Sequence, residues 1–377
     1  MSDLATTVTI VDACGKAGVP VLLLGDPGIG KSSFVRGIAS NEDLLCETVL
    51  GSIREPADLA GLPVVTEQGV VLDPPAWAKR LAAADAGYLF LDELTTCPDT
   101  VQAAMLAVAL DRTVGDLRLG NEVRIVAGAN PPDTAAGGYE LAAPLANRFC
   151  HLRYAPTTDE WIDGMTTGWS TPPTSRAIDA DDLRLATTTA TVTAFIRTRP
   201  DLLHSLPKDA DTLGGAWPSR RTWSMLARTL AHVRDGDDAA VQTLVFGLVG
   251  EGAGSEFLKW RQAMDLPSPD AVIADPSIVA WNDRPDRVWV VLAAVVGWAA
   301  SRGCVQAWRD AWGPMVAAAE NGAADVAVAA ARTHIRARPP RATWPATVRK
   351  SLGPVLEAAG ILVAPLAVTA DDAAGAA

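Results

Sequence analysis

A segment near the N-terminus has the composition and spacing of a phosphate-binding loop. It reads Gly25-Asp26-Pro27-Gly28-Ile29-Gly30-Lys31-Ser32 and matches the pattern G-x-x-x-x-G-K-[ST]. An apolar strand pattern, Val21 to Leu24, precedes it, and a helical pattern, Ser33 to Ala39, follows it. The glycines allow successive backbone N–H groups to turn toward one point, and the helix N-terminus adds partial positive charge. We therefore predict a polyphosphate site, with Lys31 on the outer phosphates and the Ser32 hydroxyl as a ligand of Mg²⁺.

Two acidic residues follow a second apolar strand pattern. Asp92 and Glu93 come directly after the run Tyr88 to Leu91. Carboxylates at the end of a buried strand need a cation or hydrogen-bond donors to offset their desolvation. We predict that Asp92 is the second magnesium ligand, acting through water, and that Glu93 is the general base that prepares the attacking water. A plain helix N-cap is the alternative role for Asp92.

Strand patterns alternate with helical patterns over the first 155 residues. The strand patterns are Val19 to Leu24, Cys46 to Gly51, Tyr88 to Leu91, Val123 to Ala129 and Phe149 to Tyr154. Short runs rich in Val, Leu and Ile between helices indicate a parallel sheet that is covered on both faces. After Asp159 the patterns are helical, at Leu183 to Arg197, Thr222 to Arg234, Ala239 to Leu248 and Arg287 to Arg302. We predict a three-layer α/β domain followed by an all-α region.

Composition limits the classes of partner. The 377 residues carry a net charge of −12 and are 49% hydrophobic, so we expect folded domains with little non-specific attraction to nucleic acid. The segment Met1 to Ala17 has no export pattern, and the longest apolar run, Val288 to Ala300, is shorter than the ~20 residues of a spanning helix. The five Cys show no CxxC spacing and the four His no ligand spacing. We expect a cytoplasmic protein with no metal other than Mg²⁺.

The order of these motifs resembles that of the AAA+ ATPases, and within them the MoxR-like branch related to magnesium-chelatase motor subunits. The resemblance runs over roughly Val19 to Arg234 and implies ATP as the polyphosphate and Mg²⁺ as its cofactor. The residues that it places around ATP are Gly25, Asp26, Pro27, Gly28, Ile29, Gly30, Lys31, Ser32 and Ser33.

Two further segments resemble residues that act on the γ-phosphate in this family. Asn130 stands 38 residues after Asp92 and resembles sensor 1, with an Asn-Pro turn as the alternative. The segment Leu145 to Phe149 resembles the family's Leu-x-Asp-Arg-Phe, which implies that Arg148 is an arginine finger reaching the neighbouring subunit's nucleotide. Asn147 stands where the family has Asp, which leaves the orientation of the finger open. A surface Arg without a catalytic role is the alternative.

The lid sensor and two inserts are also similar to family features. Pro218 to Thr222 opens a helical pattern and resembles sensor 2, in which the family pattern Ser-x-Arg selects Arg221 and leaves Arg220 as the alternative. Ser52 to Leu72 resembles the helix-2 insert at the central pore, and Thr113 to Leu119 resembles the hairpin before sensor 1. Ordinary surface hairpins are the alternative for both inserts.

The resemblance also implies an organisation and a function. We predict an AAA+ α/β nucleotide-binding domain over 1–155, an α-helical lid over 156–236, a C-terminal helical extension over 237–369 and a disordered tail over 370–377. The implied function is a homo-oligomeric ring, a hexamer, that couples Mg²⁺-dependent ATP hydrolysis to remodelling or activation of a partner with a von Willebrand factor A-type domain. The alternatives are a nucleic-acid motor or loader and a non-hydrolysing, nucleotide-dependent scaffold. The net charge of −12 argues against the first and Glu93 against the second.

Overall fold

The main sheet of the protein is parallel and five-stranded. The computed structural model describes residues 3–67, 69–131, 141, 143–167, 172–208, 213–264 and 266–361. The strands are β1 (Val21–Leu24), β2 (Leu45–Leu50), β3 (Leu62–Thr66), β4 (Gly69–Asp73), β5 (Gly87–Asp92), β6 (Thr113–Val114), β7 (Leu117–Arg118), β8 (Val123–Ala129) and β9 (Cys150–Arg153). The main sheet has the order β2-β5-β8-β1-β9, and all its paired strands are parallel. Each of its strands overlaps one predicted strand, so the predicted parallel sheet is confirmed.

Helices cover both faces of this sheet. Through the first half of the chain they are α1 (Leu4–Lys16), α2 (Lys31–Asn41), α3 (Ala57–Ala60), α4 (Ala76–Ala83), α5 (Asp99–Asp111), α6 (Ala143–Ala146) and α7 (Thr158–Thr167). Leu89 and Leu91 of β5 share one apolar core with α4 and α5. Tyr88, on the opposite face of β5, bonds through its hydroxyl to Glu42 at the end of α2. Because side chains alternate along a strand, α2 lies across the sheet from α4 and α5, which makes three layers.

Two hairpins leave the sheet where the sequence predicts them. Strands β3 and β4 pair antiparallel, as do β6 and β7. The first hairpin exposes aliphatic side chains, including Val65 at 83% and Val70 at 67% of their full accessibility. Within the segment Ser52 to Leu72, the residues before the hairpin form a 3-10 turn and the short helix α3. The predicted hairpin shapes are confirmed, and their contact with a substrate stays a prediction.

The described residues after Arg153 contain helices and no strand. The α-helices that follow α7 in the described residues are α8 (Asp182–Thr198), α9 (Arg220–Leu230), α10 (Asp238–Gln262), α11 (Pro269–Ala274), α12 (Pro285–Arg302), α13 (Val305–Asp310), α14 (Trp312–Glu320), α15 (Ala324–Arg336), α16 (Ala346–Ser351) and α17 (Gly353–Ala358). Gly250 interrupts α10 with a φ of 76°, two residues after the end of the predicted helical stretch Ala239 to Leu248. The predicted all-α region is confirmed for the described residues.

The chain divides into two compact units. One comprises residues 1–179 and 201–259, and the other comprises 180–200 and 260–377. Helix α8 belongs to the second unit because it packs along α12. This grouping differs from the boundaries expected at 155 and 236, which stay predictions, as does the extension over 237–369. The predicted tail, 370–377, lies outside the described residues. In the described part of the chain, every helix is too short or too polar to span a membrane.

A buried histidine lies in the aromatic core of the second unit. His334 stacks on Trp308, with ring centroids 5.2 Å apart, and lies edge-on to Trp312. Its Nε2 is 2.9 Å from the Trp308 carbonyl oxygen, and the Trp308 indole N–H donates to the His334 carbonyl. Burial lowers the pKa of His334 to about 4. The imidazole is therefore neutral in the folded protein at neutral pH.

We expect this histidine to make the stability of the second unit depend on pH. The unfolded chain binds a proton at His334 near its ordinary pKa of about 6.5, whereas the folded chain binds it only near 4. Stability is therefore full above about pH 6.5 and falls toward pH 4, by about 3 kcal/mol in total. Thermal unfolding followed by Trp fluorescence should show a shallower pH dependence over this window in His334→Gln. The exposed His204→Gln should keep the wild-type dependence, and equal pH slopes in all three proteins would contradict the assignment.

Candidate functional site

The phosphate-binding loop joins β1 to α2. Gly28 and Gly30 have φ values of 81° and 94°, a left-handed backbone conformation that side chains other than glycine rarely adopt. A Cβ atom at either position would meet nothing within 4 Å, so the concave side of the loop is open. Gly25 is needed for a different reason, because a Cβ atom there would lie 2.3 Å from the Tyr154 carbonyl oxygen. Gly30 is the N-cap of α2 and has no side chain to accept the first-turn N–H groups, which can therefore bind an anion.

Lys31 spans the loop and connects it to β8. Its Nζ donates to the carbonyl oxygens of Gly25 and Asp26 at 2.6 and 3.0 Å and to Asn130 Oδ1 at 2.9 Å. Burial lowers the pKa of Lys31, while the charges of Asp92, Asp26 and Glu93 oppose this shift. The ammonium group is thus held at one point of the loop by acceptors that a phosphate oxygen could replace.

Ser32 and Asp92 form the candidate magnesium site. The Ser32 hydroxyl donates to Asp92 Oδ2 at 2.8 Å, so the last residue of β5 lies directly beside the first turn of α2. The neighbouring strand leaves room for this carboxylate because Gly128 has no side chain, and a Cβ atom there would lie 2.8 Å from Asp92 Oδ1. A hydroxyl and a carboxylate are hard oxygen ligands, and Mg²⁺ prefers one or two of them together with phosphate oxygens and water. The pair fits this ion.

Glu93 follows with an unusual backbone conformation. Its φ of 60° lies in the left-handed region, which costs of order 1 kcal/mol or more for a residue other than glycine. The turn is held by the Glu93 N–H, which donates to Asp92 Oδ1 at 2.9 Å, and by the Thr96 N–H and hydroxyl, which both donate to the Glu93 carbonyl. Strained residues of this kind are concentrated at functional sites. The catalytic role predicted for Glu93 stays a prediction.

Asn130 follows β8 and is hydrogen-bonded to Lys31 of the phosphate-binding loop, and its predicted role as a sensor stays a prediction. Its side chain accepts from Lys31, and its backbone is held by the buried hydroxyl of Thr95. Thr95 Oγ1 donates to the Asn130 carbonyl at 3.3 Å and accepts from the Asn130 N–H at 3.2 Å. Thr95 was not predicted, because only the pairing of β5 with β8 brings residues 35 positions apart together. It fixes the backbone from which the Asn130 amide projects.

Arg148 and Arg221 interact electrostatically within one chain. Burial, and next the positive charge of Arg221, lower the pKa of Arg148. The Arg148 Nε is buried and has no hydrogen-bond partner among the described residues. In the same part of the chain, no hydrogen bond or ion pair joins Arg148 to Lys31, Ser32 or Asp92. The charge effect on Arg148 comes from Arg221 rather than Arg220, and the catalytic roles of Arg148 and Arg221 stay predictions.

A cavity of about 490 Å³ begins beside the loop. Ser33 and Phe34 of α2 form one wall, and Tyr154, at the end of β9, forms another. The Phe34 and Tyr154 rings are 4.9 Å apart, and burial raises the pKa of the Tyr154 phenol to about 12, so it stays protonated at neutral pH. Helix α7 closes the cavity with its polar side, and Glu160 Oε1 accepts from the Leu4 N–H. Of the residues that line this cavity, only Ser33 was predicted as a site residue from the sequence.

Comparison with known proteins adds a family match over the same residues. Residues 20–149, about a third of the chain, match the model of the AAA domain, dynein-related subfamily. No curated protein matches the chain. One similar solved structure is that of a candidate ATPase from Cytophaga hutchinsonii, with 16% identity, 74% of this chain and 91% of that chain covered, and a TM-score of 0.40. Values this low carry no argument about function.

The matched residues contain the loop, both acids, Asn130 and Arg148. They also span the parallel sheet almost completely. The residues that match the AAA domain model therefore form an α/β core, and an α-helical region follows it, as predicted from the sequence. The branch of the family and the reaction are matters of proposal.

Proposed function

We propose that the protein is a MoxR-like AAA+ ATPase that binds Mg²⁺ and ATP at this site and hydrolyses ATP with release of its γ-phosphate. The observation that carries the proposal is the hydrogen-bonded set of Lys31, Ser32, Asp92 and Asn130, which brings together residues from three separate segments. Glu93 adjoins this set. A packing role accounts poorly for a buried ammonium, an amide and a carboxylate that converge on the open side of a glycine loop.

Each side chain has a distinct task in the proposed reaction. Bound Mg²⁺ supplies positive charge against the β- and γ-phosphates. Lys31 binds the same phosphates, and Ser32 and Asp92 hold the ion. Asn130, fixed through its backbone by Thr95, orients the attacking water or the γ-phosphate. Glu93 accepts the proton of that water.

The nucleoside of the bound ATP would lie in the cavity beside Ser33. A triphosphate in the loop leaves its nucleoside at the start of α2, where Phe34 and Tyr154 offer aromatic surface. A cavity of about 490 Å³ is within the usual range for small-molecule sites. The nucleoside would therefore be bound by residues outside the phosphate motif.

Arg148 supports an assembly of identical chains. It has an unpartnered guanidinium nitrogen and, among the described residues, no bond to the loop of its own chain, which suits a group that completes a neighbour's site. We propose a homo-oligomeric ring, a hexamer, in the cytoplasm, that remodels or activates a protein partner with a von Willebrand factor A-type domain. The exposed aliphatic residues of the β3–β4 hairpin favour a protein rather than a nucleic acid, which would face a chain of net charge −12.

Mixing two inactive variants tests this arrangement. We call the phosphate-binding loop together with Lys31 the cradle. Arg148→Ala keeps its own cradle and lacks the arginine finger, whereas Lys31→Ala lacks a working cradle and keeps the finger. If Arg148 acts across an interface, mixtures should recover part of the lost phosphate release, because some sites then combine an intact cradle with an intact finger. Light scattering confirms that both variants assemble. Assembled mixtures without recovery at any ratio would contradict a finger supplied by a neighbour.

A further inference from the structure

Asn147 makes two hydrogen bonds that connect the finger segment to the start of helix α9. Its Nδ2 donates to the Trp217 carbonyl oxygen at 3.1 Å, and its Oδ1 accepts from the Ser219 hydroxyl at 2.6 Å. Asn147 is 4% exposed, and these partners lie 70 and 72 residues away in the chain. Both bonds belong to the first compact unit. A buried carboxamide with a donor and an acceptor satisfied in this way is geometrically well defined.

Ser219 connects this contact to the helix that contains Arg221, the predicted lid sensor. It is the N-cap of α9, and its hydroxyl oxygen accepts from the Thr222 N–H in a capping box. The hydroxyl proton points to Asn147, so one hydroxyl both starts the helix and anchors the finger segment. Arg148 follows Asn147 directly, and Arg221 follows Ser219 by two residues. The bond to Ser219 thus joins the residue before Arg148 to the residue two positions before Arg221.

The geometry also explains why asparagine stands where the resembling family has aspartate. An ionised carboxylate could accept from Ser219, but it could not donate to the Trp217 carbonyl. Two oxygens would then face each other at a buried contact that is now a hydrogen bond of 3.1 Å. Only a side chain with an acceptor and a donor on one planar group makes both bonds.

We infer that Asn147 is a positioning residue for Arg148, which it fixes to the N-terminus of helix α9 so that a shift of this helix is transmitted to the finger. The inference rests on the proposed function. In this inference the orientation of Arg148 depends on a neutral side chain that is hydrogen-bonded to the N-terminus of α9, and it does not depend on a salt bridge. The Asn147 side chain bonds to Trp217 and Ser219 rather than to a residue of the phosphate-binding loop.

Asn147→Asp is the sharpest test because it changes one group and nearly preserves volume. We expect ATP turnover at saturation to fall about 10-fold or more, since small displacements of a catalytic group have effects of this size. Affinity for a fluorescent ATP analogue should stay within about 3-fold of wild type, because binding depends on the loop rather than on Arg148. Ser219→Thr keeps the hydroxyl and should keep most of the turnover, and Asn121→Asp, at an exposed site, should resemble wild type.

Mixing separates positioning from a merely structural role. Asn147→Asp chains have an intact cradle, so mixing them with Lys31→Ala chains should restore part of the phosphate release through the partner's well-placed Arg148. If thermal unfolding shows that Asn147→Asp does not fold, Ser219→Ala replaces it, because it removes the same hydrogen bond from the other partner. Wild-type turnover in the folded variant, or a loss that such mixing does not restore, would overturn the inference.

The proposed function has its own controls in the same experiment. If wild-type chains release no phosphate, or if Arg148→Ala and Lys31→Ala chains do not complement each other, the proposed function fails. If those two complement each other and only the Asn147→Asp mixture does not recover, the inference about Asn147 fails alone.

Discussion

A chain with Glu93→Gln is expected to hydrolyse ATP about 100-fold or more slowly than wild type while it binds ATP with similar affinity, because removal of a general base affects the chemical step. The glutamine has the size of the glutamate but cannot accept the proton of the attacking water. It also leaves unchanged the backbone of residue 93, whose carbonyl holds Thr96 and whose N–H donates to Asp92. Single-turnover phosphate release and equilibrium binding of a fluorescent ATP analogue measure the two effects separately.

The matched control for this variant is Glu122→Gln, which makes the same chemical change at an exposed residue before β8. It should release phosphate at the wild-type rate. Normal turnover by Glu93→Gln would remove Glu93 from the mechanism and would leave its backbone strain without a catalytic explanation. Loss of ATP binding together with turnover would instead indicate that the variant disturbs the loop.

The second large effect is expected at the cradle. Lys31→Ala should weaken ATP binding by about 10- to 100-fold, since a charge-assisted hydrogen bond contributes about 1.5–3 kcal/mol. Lys31 Nζ has three acceptors in the folded chain, two of them loop carbonyls, so its removal also frees the loop. In thermal unfolding, ATP at about 100 times the wild-type Kd should raise the midpoint of wild type clearly and that of Lys31→Ala much less, because the same concentration is only about 1 to 10 times the Kd of the variant.

Lys79→Ala provides the control for this measurement. Lys79 pairs with Asp73 on the surface of the first unit, where an ion pair contributes little to stability. Its removal should leave the ATP-induced shift intact. An undiminished shift in Lys31→Ala would mean that the nucleotide binds elsewhere or that the loop does not need the ammonium group.

Local patterns were sufficient to predict the centre of the site. The strand, loop and helix around Lys31 are consecutive in the chain, and each is specified by its own residues: branched apolar side chains, glycines at positive φ and a helical run. Asp92 ends β5 and Asn130 directly follows β8, and the carboxyl ends of neighbouring parallel strands meet at one edge of the sheet. The prediction that they lie near the same site came from the family resemblance, because the sequence alone does not show that these two strands are neighbours.

The supporting contacts could not be predicted in this way. Thr95 and Ser219 are common residue types, and what they contact depends on which segments the fold brings together. Asn147 was visible in the sequence only as a departure from a family pattern, with no indication that Ser219, 72 residues away, supplies its partner. The grouping of α8 with the second unit was hidden for the same reason, because it depends on packing against α12.

The central claim is that this site hydrolyses ATP with a divalent ion. It is tested most directly by steady-state phosphate release from ATP by purified wild-type chains, measured with Mg²⁺ and with excess EDTA, beside Glu93→Gln. We expect release that requires Mg²⁺, that increases per chain as the protein concentration is raised and chains assemble, and that is nearly absent in the variant. Folded wild-type protein that releases no phosphate at any concentration, or that releases it equally in EDTA, would contradict the claim.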